Sequence, residues 1–485
     1  MNKTMLGAFV VCAVVLVGVN TASRAAEPLE AGLAARDITP DTGYGHYRGE
    51  STGVNDPLQA KALVLRQGDE TAALIMCDII VVPRALSKRI RSRVAEETGI
   101  PFEHIGVAAT HTHTGPSFSG ELRDYVEADE AGELTEELEQ GYVAALIEQA
   151  AGAAIDAHAE AASVSLELVR GEEDGVSFNR RFLMKNGTVR FNPGQLNPDI
   201  VRPVGPIDPE ALTVLFRGED GEAQGALTNF ANHLDTVGGT EYSADYPHHI
   251  EQVLQEEFGP AFLSLFGLGA SGDINHIDVN SEDRLSTQEI GEAVGETIRA
   301  NLDEGTGLSP ALTVESRTLF LSLQDYTEDE LEWAQAYPED DLYPQERSFL
   351  QQRRAKKILS LHDAREDEAV YRLGNVIPPA ASGEPWVLAV EIQAIGLSPD
   401  TAIVTMPGEV FVELGLDLKE RSPFSHTMLI ELANANIAYV PTEEAFRQGD
   451  YEAINSRLAP GGGEAMIDGA VEMLHALHDR LDADL

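Results

Sequence analysis

The chain alternates between strand-like and helix-like stretches, and this alternation limits its fold more than any other feature. β-branched and apolar runs at residues 59–65 and 71–82 predict two strands. Apolar residues at helical spacing in residues 87–97 predict an amphipathic helix, and residues 104–109 predict another strand. The pattern is typical of an α/β protein with a mixed sheet and flanking helices.

The same alternation continues to the end of the chain. A long helix is predicted up to residue 154, strands at residues 386–397 and 401–405, and a helix at residues 410–421. No internal repeat, low-complexity linker or Pro/Ser-rich hinge interrupts it. We therefore expect one large catalytic domain over residues 26–485.

Residues 1–25 have the pattern of a secretory signal peptide. Lys3 precedes an apolar run over residues 5–19, and the small residues Ser23 and Ala25 suit a cleavage site. The run is shorter than the roughly 20 residues that a membrane span needs. We expect a secreted or periplasmic protein without a stable membrane span.

The charge balance excludes two classes of partner. The chain has 81 acidic and 34 basic residues, a formal net charge of -47. Nucleic acid and anionic membranes would repel such a surface, so neither is expected as a partner. Of the two cysteines, Cys12 lies in the predicted signal peptide, which leaves Cys77 without an internal disulfide partner and predicted to pack in the core.

The motif Ala109-Thr110-His111-Thr112-His113-Thr114-Gly115-Pro116 places two histidines one residue apart after an apolar run. In a strand both imidazoles would point to the same face. Such a pair is half of a metal site, or else a polar patch satisfied by water and backbone.

Three other sites carry candidate groups. His233 lies where a predicted strand runs into a Gly-rich loop. Glu409 follows Pro407-Gly408 at the predicted start of a helix, which would stabilise its charge unless it is a metal ligand. Tyr439 and Tyr451 flank a turn near the end of the chain and are core residues in the simplest interpretation.

Taken together, these motifs resemble the catalytic domain of the neutral/alkaline (non-lysosomal) ceramidases, zinc amidases that split the N-acyl bond of ceramide. The resemblance rests on residues 32–40, 109–116 and 407–409, on Asn232-His233, on Gly272-Asp273, and on Tyr439 to Tyr451. The order and spacing of the six motifs are more specific than any one of them.

The resemblance implies a role for each matching residue. His111, His233, Glu409 and Tyr439 fall on the ligands of one Zn²⁺ per chain. His113 falls on the acid/base group, Tyr451 on the group that polarises the carbonyl, and Arg180 on the arginine that holds the substrate. The implied reaction is hydrolysis of an N-acylated small molecule by zinc-activated water. The oligomeric state is left open.

The sequence departs from the family at two places. The family motif Gly-Asp-Val-Ser-Pro-Asn has a catalytic serine, where this chain has Asn275 within Gly272-Asp273-Ile274-Asn275-His276. Asparagine can hydrogen-bond a substrate but cannot act as a nucleophile. The sequence also has no match to the immunoglobulin-like domain that follows in the ceramidases. Both departures put ceramide itself in doubt as the substrate.

Two alternatives remain open from the sequence. A zinc-dependent N-deacylase acting on a polar glycan or amino sugar would have a wetter pocket, as Asn275 suggests. A non-catalytic binding protein would have kept the scaffold without the chemistry, although it would not need His113, Arg180 and Tyr451. His248-His249 is interpreted as a solvated helix start rather than as a second metal site.

Overall fold

The computed structural model describes residues 27–337, 349–366, 376–377 and 386–484. The predicted signal peptide, residues 1–25, lies outside the described residues. The fold is mixed α/β, as the sequence predicts, but it contains three large sheets rather than one. Each of the three combines antiparallel pairs with one parallel pair.

The first sheet contains the N-terminal strands. In spatial order these are Ile105–Ala109, Glu70–Cys77, Gln59–Gln67, Glu30–Asp37 and Ala162–Ser163. Only the pair of Glu70–Cys77 with Ile105–Ala109 is parallel. Helices Arg84–Thr98 and Tyr142–Glu160 pack against it through buried aliphatic side chains. Cys77 is fully buried and unpaired here, as predicted.

The second sheet occupies the middle of the chain. Its strands, in spatial order, are Leu263–Leu268, Ala223–Phe230, Glu210–Arg217, Ser165–Glu172 and Thr306–Leu308. Ala223–Phe230 and Leu263–Leu268 form the parallel pair. Helices Tyr246–Phe258 and Thr287–Ala300 pack together on it. Ser286 and Glu289 form a capping box that fixes where the second of these helices begins.

The third sheet is built from the C-terminal strands. Its order is Thr313–Ser322, Val387–Ser398, Thr401–Thr405 and His426–Ile430, with Val376–Ile377 also paired to Val387–Ser398. Thr401–Thr405 and His426–Ile430 form the parallel pair. Helices Val412–Arg421 and Gly462–Asp484 pack together, and the second also lies against the sheet.

The remaining elements lie outside the three large sheets. The helices are Phe102–His104, Ser119–Ala131, Glu136–Glu139, Leu302–Glu304, Glu328–Gln335, Phe349–Glu366, Glu443–Gln448 and Tyr451–Asn455. The strands are Gly45–His46, Gly49–Glu50, Gly53–Val54, Phe178–Asn179, Arg181–Met184, Val189–Phe191, Ile200–Pro203, Glu241–Tyr242, Ile274–Asn275, Glu409–Val410 and Tyr439–Val440. Within the described part of the chain, no helix combines the length and apolar character that a bilayer crossing requires.

The three sheets share one apolar core. A single cluster of buried side chains contains Leu63 and Leu74 from the first sheet, Leu227 from the second, and Ile395 and Ile403 from the third. Burying these faces against one another holds the sheets in fixed relative positions. The ends of their strands therefore meet at one place, which is where the candidate residues lie.

Some predicted boundaries are wrong, and each error has a local cause. The strand predicted over residues 71–82 ends at Cys77, because the Asp78 carboxylate accepts a hydrogen bond from the Gln59 N–H (2.8 Å) and turns the chain out of the sheet. The helix predicted from residue 410 begins at Val412. Glu409 instead belongs to a two-residue strand, so it is not at a helix start.

Candidate metal centre

Three histidines from two sheets converge on one point. The Nε2 atoms of His111 and His233 are 3.1 Å apart, and those of His111 and His113 are 3.3 Å apart. Candidate ligand atoms of all three lie within 4.8 Å of one another. We call His111, His113 and His233 the histidine cluster. It is the one group of at least three His, Cys, Asp or Glu residues, among those that the structure describes, close enough to hold a metal ion.

His111 and His113 lie in a loop. The prediction that the alternation of a strand points both imidazoles to one face is therefore wrong. Strand Ile105–Ala109 ends before the motif, and His111 has a φ of 77°, in the left-handed region that non-glycine residues rarely adopt. The N–H of His113 donates to the carbonyl of Leu234 (3.0 Å). This turn, and not a pleat, brings the two rings edge to face with centroids 4.8 Å apart.

Backbone carbonyls fix which ring nitrogen of each histidine carries the proton. Nδ1 of His111 lies 2.6 Å from the Ile80 oxygen, and Nδ1 of His233 lies 3.4 Å from the Ser271 oxygen. A carbonyl oxygen only accepts, so both Nδ1 atoms donate and both Nε2 atoms keep a lone pair. This is the tautomer that a metal-binding imidazole needs.

Glu409 supplies a buried oxygen that lacks a donor. Its Oε2 is 3.6 Å from Nε2 of His111 and 3.8 Å from Nε2 of His233, and no hydrogen bond reaches it. A buried carboxylate oxygen without a partner is costly unless a cation lies beside it. Two imidazole lone pairs and this carboxylate make a donor set that fits a divalent metal ion such as Zn²⁺.

Tyr439 is brought next to Glu409 by a short parallel ladder. The strands Glu409–Val410 and Tyr439–Val440 pair so that Glu409 lies opposite Tyr439. Gly408 has a φ of 85°, and a Cβ there would lie 2.7 Å from the Ala438 oxygen, so glycine allows this approach. Burial and the Glu409 charge hold the pKa of Tyr439 well above its ordinary value, so without a cation it is a phenol.

His113 has an acidic neighbour that the sequence interpretation missed. Its Nδ1 is 3.8 Å from Oδ1 of Asp235, which also binds Nη2 of Arg48 at 2.6 Å. The Tyr47 ring lies edge-on to the imidazole, with centroids 5.2 Å apart. Burial, reinforced by the nearby His111, lowers the pKa of His113 well below its ordinary value. A sequence signal existed, since Asp235 is in the same loop as His233.

Arg180 is held by other protein groups. Its Nε donates to Oε1 of Glu452 (3.0 Å) and its Nη2 to the Gly272 carbonyl (2.6 Å). Arg181 Nη1 donates to the other oxygen of Glu452 (2.7 Å). We call Arg180, Arg181 and Glu452, all buried, the ion triad. The Arg180 Cζ is 5.5 Å from the centre of the Tyr439 ring.

Tyr451 is held by aromatic rings on three sides. It stacks on Phe191 at 4.6 Å and on Phe349 at 5.5 Å between centroids, and lies edge-on to Tyr439 at 5.6 Å. Asp450, at a φ of 77°, caps the helix that Tyr451 begins by accepting a hydrogen bond from its N–H. The ring is therefore fixed beside the candidate ligand Tyr439.

The side chain of Asn275 makes its hydrogen bonds away from the histidine cluster. Its Nδ2 donates to Oδ1 of Asn192 (2.9 Å), and its Oδ1 accepts the Ile277 N–H (3.0 Å). It lies in the strand Ile274–Asn275, which pairs with Phe178–Asn179. In this position the side chain joins two loops behind Arg180.

Two further buried carboxyl groups hold the loops around the site, and the sequence interpretation gave neither a role. Glu431 accepts hydrogen bonds from the Ser271 hydroxyl (2.6 Å) and the Val410 N–H (2.5 Å). Asp273 accepts from the Val412 N–H (2.8 Å), and burial raises its pKa to about 6. Both fix the backbone next to Glu409, so its position is set by carboxylates that are distant in sequence.

The candidate residues open into one cavity of about 470 Å³. Those that line it are His111, His113, Glu409, Tyr439 and Tyr451. By contrast, His248 and His249 lie in the first turn of helix Tyr246–Phe258 and contact the Gln252 side chain, as expected of a helix start.

Neutral ceramidases are similar to this chain in sequence and in fold. No family model matches the chain. The neutral ceramidase of Mycobacterium tuberculosis is 23% identical over an alignment of 522 residues, which covers 93% of this chain and 77% of that protein.

Two solved structures have the same fold. The crystal structure of neutral ceramidase from Pseudomonas aeruginosa superimposes with a TM-score of 0.68 at 19% identity, covering 94% of this chain and 75% of that one. A ceramidase complexed with C2 superimposes with a TM-score of 0.67 at 18% identity, covering 94% and 76%. In its motifs and its overall sequence this chain is similar to the neutral ceramidases, and it has their fold.

Proposed function

We propose that this protein is a secreted or periplasmic zinc-dependent hydrolase that cleaves an N-acyl amide bond. One observation carries the proposal: two imidazole Nε2 lone pairs and the partnerless Oε2 of Glu409 face one point. His111, His233, Glu409 and Tyr439 would hold the ion. When bound, zinc supplies Lewis-acid polarisation and a water of lowered pKa.

We assign proton transfer to His113. It lines the cavity beside the candidate ligands, and its Nδ1 faces Asp235 at 3.8 Å. A neutral imidazole in this position takes a proton from the attacking water and returns it to the leaving nitrogen as the C–N bond breaks. Asp235, held by Arg48, is a positioning residue that orients the ring.

Tyr451 and Arg180 have different tasks in this proposal. Tyr451 lines the cavity, so its hydroxyl donates to the acyl oxygen as negative charge develops there. Arg180 is buried and uses donors on Glu452 and the Gly272 carbonyl. We therefore assign it to positioning Tyr439, over whose ring it lies, rather than to holding the substrate.

Metal analysis and an amidase assay test the proposal together. Protein purified without chelators should contain one zinc per chain and release labelled fatty acid from an N-acyl substrate, with ceramide tested first. The variant His111→Ala should no longer bind zinc. Its kcat/KM should fall by at least about a thousandfold, since the nucleophile depends on the metal. The control is His249→Ala, because His249 contacts Gln252 and not the cluster.

Two outcomes would contradict the proposal. A wild-type protein without bound metal would exclude the zinc site. A protein that holds zinc through His111 but hydrolyses no N-acyl lipid, glycan or peptide would favour the binding-protein alternative.

A further inference from the structure

The charged side chains that line the cavity are mostly basic, whereas the chain as a whole is strongly acidic. The chain has 81 acidic and 34 basic residues. Yet the described residues that line the cavity include four basic side chains, Arg353, Lys356, Lys357 and Arg457, and one carboxylate, Glu409. We call these four residues the basic wall. Since Glu409 belongs to the candidate metal centre, it does not neutralise them.

The basic wall lacks acidic partners. In the described part of the chain, no carboxylate lies within 4 Å of its four cationic groups. Lys357 Nζ donates to the neutral amide oxygen of Gln324 at 2.7 Å. Nε of Arg353 is buried and makes no hydrogen bond.

Other basic residues on the same helix are neutralised. Helix Phe349–Glu366 carries Arg354, paired with Glu330 at 2.5 Å, and Arg365, paired with Asp325 at 2.8 Å. A general shortage of carboxylates therefore does not explain the basic wall. On this helix, the basic residues without a described carboxylate within 4 Å are those that line the cavity.

Burial makes this arrangement unfavourable in the absence of a ligand. Burial, with the nearby Arg354 charge, lowers the pKa of Lys357 to about 8. Burial also lowers the pKa of Arg457. At Lys357, desolvation and the Arg354 charge outweigh the opposing charge of Glu330, and a bound anion would act in the same direction as Glu330.

Part of the cavity lining is apolar. It contains Ile80, Val81, Pro83 and Phe118, which suit a hydrocarbon chain. The same cavity therefore offers contacts for an acyl chain and for an anionic group. A neutral lipid would leave the basic wall unused.

The basic wall is close to the candidate reaction centre. Cζ of Arg353 is 5.0 Å from the centre of the Phe349 ring, and Phe349 stacks on Tyr451. Tyr451 in turn contacts Tyr439. The Phe349 ring separates Arg353 from Tyr451, so an anion a few bonds from the scissile bond would reach the basic wall.

We propose that the substrate is an anionic N-acyl compound, specifically an N-acyl amino acid, whose carboxylate binds at the basic wall. This inference rests on the proposed amidase function. Water adds its oxygen to the acyl carbon, the C–N bond breaks, and the nitrogen takes a proton. The products are a fatty acid and a free amino acid. The acyl chain lies along Ile80 and Phe118.

A matched pair of substrates tests the inference. N-lauroylglycine and N-lauroylethanolamine have the same acyl chain and amide, and differ in a carboxylate against a hydroxymethyl group. We expect kcat/KM to favour N-lauroylglycine by at least about tenfold, the value of one good charge contact. Arg457→Gln and Lys357→Gln should each lower that ratio about tenfold, mainly through KM. Arg354→Gln, on the neutralised side of the helix, should leave the ratio unchanged.

Equilibrium binding separates this inference from the proposed function. We expect metal-free protein, with its fold checked by circular dichroism, to bind N-lauroylglycine more tightly than N-lauroylethanolamine by calorimetry, and Arg457→Gln to remove the difference. If the metal-free protein shows this binding preference but the zinc-loaded protein hydrolyses neither amide, the result would support the anion site and contradict the proposed hydrolase function. Equal hydrolysis and equal binding of the two amides, unaffected by Arg457→Gln, would support the hydrolase and overturn the anion site.

Discussion

Two groups of basic residues lie on either side of Tyr451, and they differ in whether a carboxylate neutralises their charge. On one side Glu452, fully buried, binds Arg180 and Arg181 at 3.0 and 2.7 Å. On the other side, Arg353 and Arg457 of the basic wall have no carboxylate within 4 Å among the described residues. Arg180 lies 5.1 Å from the centre of the Phe191 ring and Arg353 lies 5.0 Å from that of the Phe349 ring, and both rings stack on Tyr451, so the two arginines differ in their counter-ions more than in their location.

The comparison separates structural charges from charges available to a ligand. A buried cation needs an anion, because desolvation otherwise opposes its charged form. In the ion triad the chain supplies that anion, and the guanidinium groups are fixed. At the basic wall, no carboxylate of the described residues lies within 4 Å of the cationic groups. We infer that the triad stabilises the fold, whereas the basic wall is completed by the substrate.

The largest effect is expected from breaking the ion triad. Glu452→Gln keeps the shape of the side chain but leaves two buried guanidinium groups without a counter-ion. We expect the free energy of unfolding to fall by about 3–5 kcal/mol, measured by chemical denaturation. The control Glu472→Gln removes a carboxylate that is 75% exposed and 3.3 Å from Arg317, and should change stability by less than about 0.5 kcal/mol. Similar values for both variants would contradict a structural role for the triad.

Two lysines provide the same contrast with a smaller effect. Lys419 binds Asp208 at 2.6 Å and Glu210 at 2.8 Å, whereas Lys357 donates to the neutral Gln324 amide oxygen at 2.7 Å and has no carboxylate within 4 Å among the described residues. We expect Lys419→Met to lower the free energy of unfolding by about 1–3 kcal/mol. Lys357→Met should leave it within about 0.5 kcal/mol or raise it. If Lys357→Met were the more destabilising change, the basic wall would be structural.

The two lysines should also differ in their pH dependence. The pKa of Lys357, about 8, is below its ordinary value of 10.5, so between these values the unfolded chain binds the proton that the folded chain has released. The wild type should therefore gain stability relative to Lys357→Met as the pH rises from 8 to 10.

Lys419 provides the control for that measurement. Burial opposes its charge, but Asp208 and Glu210 raise its pKa above 10.5. Its contribution to stability is therefore complete below pH 10 and is lost only at higher pH. Denaturation at pH 7, 8.5 and 10 should give a changing difference for Lys357→Met and a constant one for Lys419→Met. A constant difference for both would contradict the low pKa of Lys357.

The smallest predicted effect is that of salt on substrate binding. Raising NaCl from about 0.1 to 1 M shortens the Debye length from about 10 to 3 Å and screens the partly exposed basic wall. We expect KM for N-lauroylglycine to rise about threefold, with less change for N-lauroylethanolamine. An equal change for both substrates would place the carboxylate away from the basic wall.

The sequence predicts the regular elements well. The strand predicted at residues 401–405 is found at Thr401–Thr405, and the helix predicted at residues 87–97 is found at Arg84–Thr98. These elements follow from the local spacing of apolar side chains. The similarity to neutral ceramidases is also predicted from short motifs, and the comparisons support it.

The site depends on interactions that no local pattern contains. The strand alternation of the His111 motif is wrong because His111 adopts a positive φ. The helix start predicted at Glu409 is wrong because Glu409 pairs with a strand 30 residues later in the chain, opposite Tyr439. The assigned roles of these residues stay predictions until they are measured.

By itself, the sequence determined the α/β class, the strand and helix positions, and the types of chemical group that could form a metal site. Only the tertiary structure decided which of those groups meet and which charges are neutralised. Glu452 has no signal of function in an acidic chain, because its partners Arg180 and Arg181 come from another part of the chain. The sequence gives no signal for the basic wall either. Whether a charged side chain has a counter-ion depends on the groups that the fold packs around it, and these are not visible in the sequence.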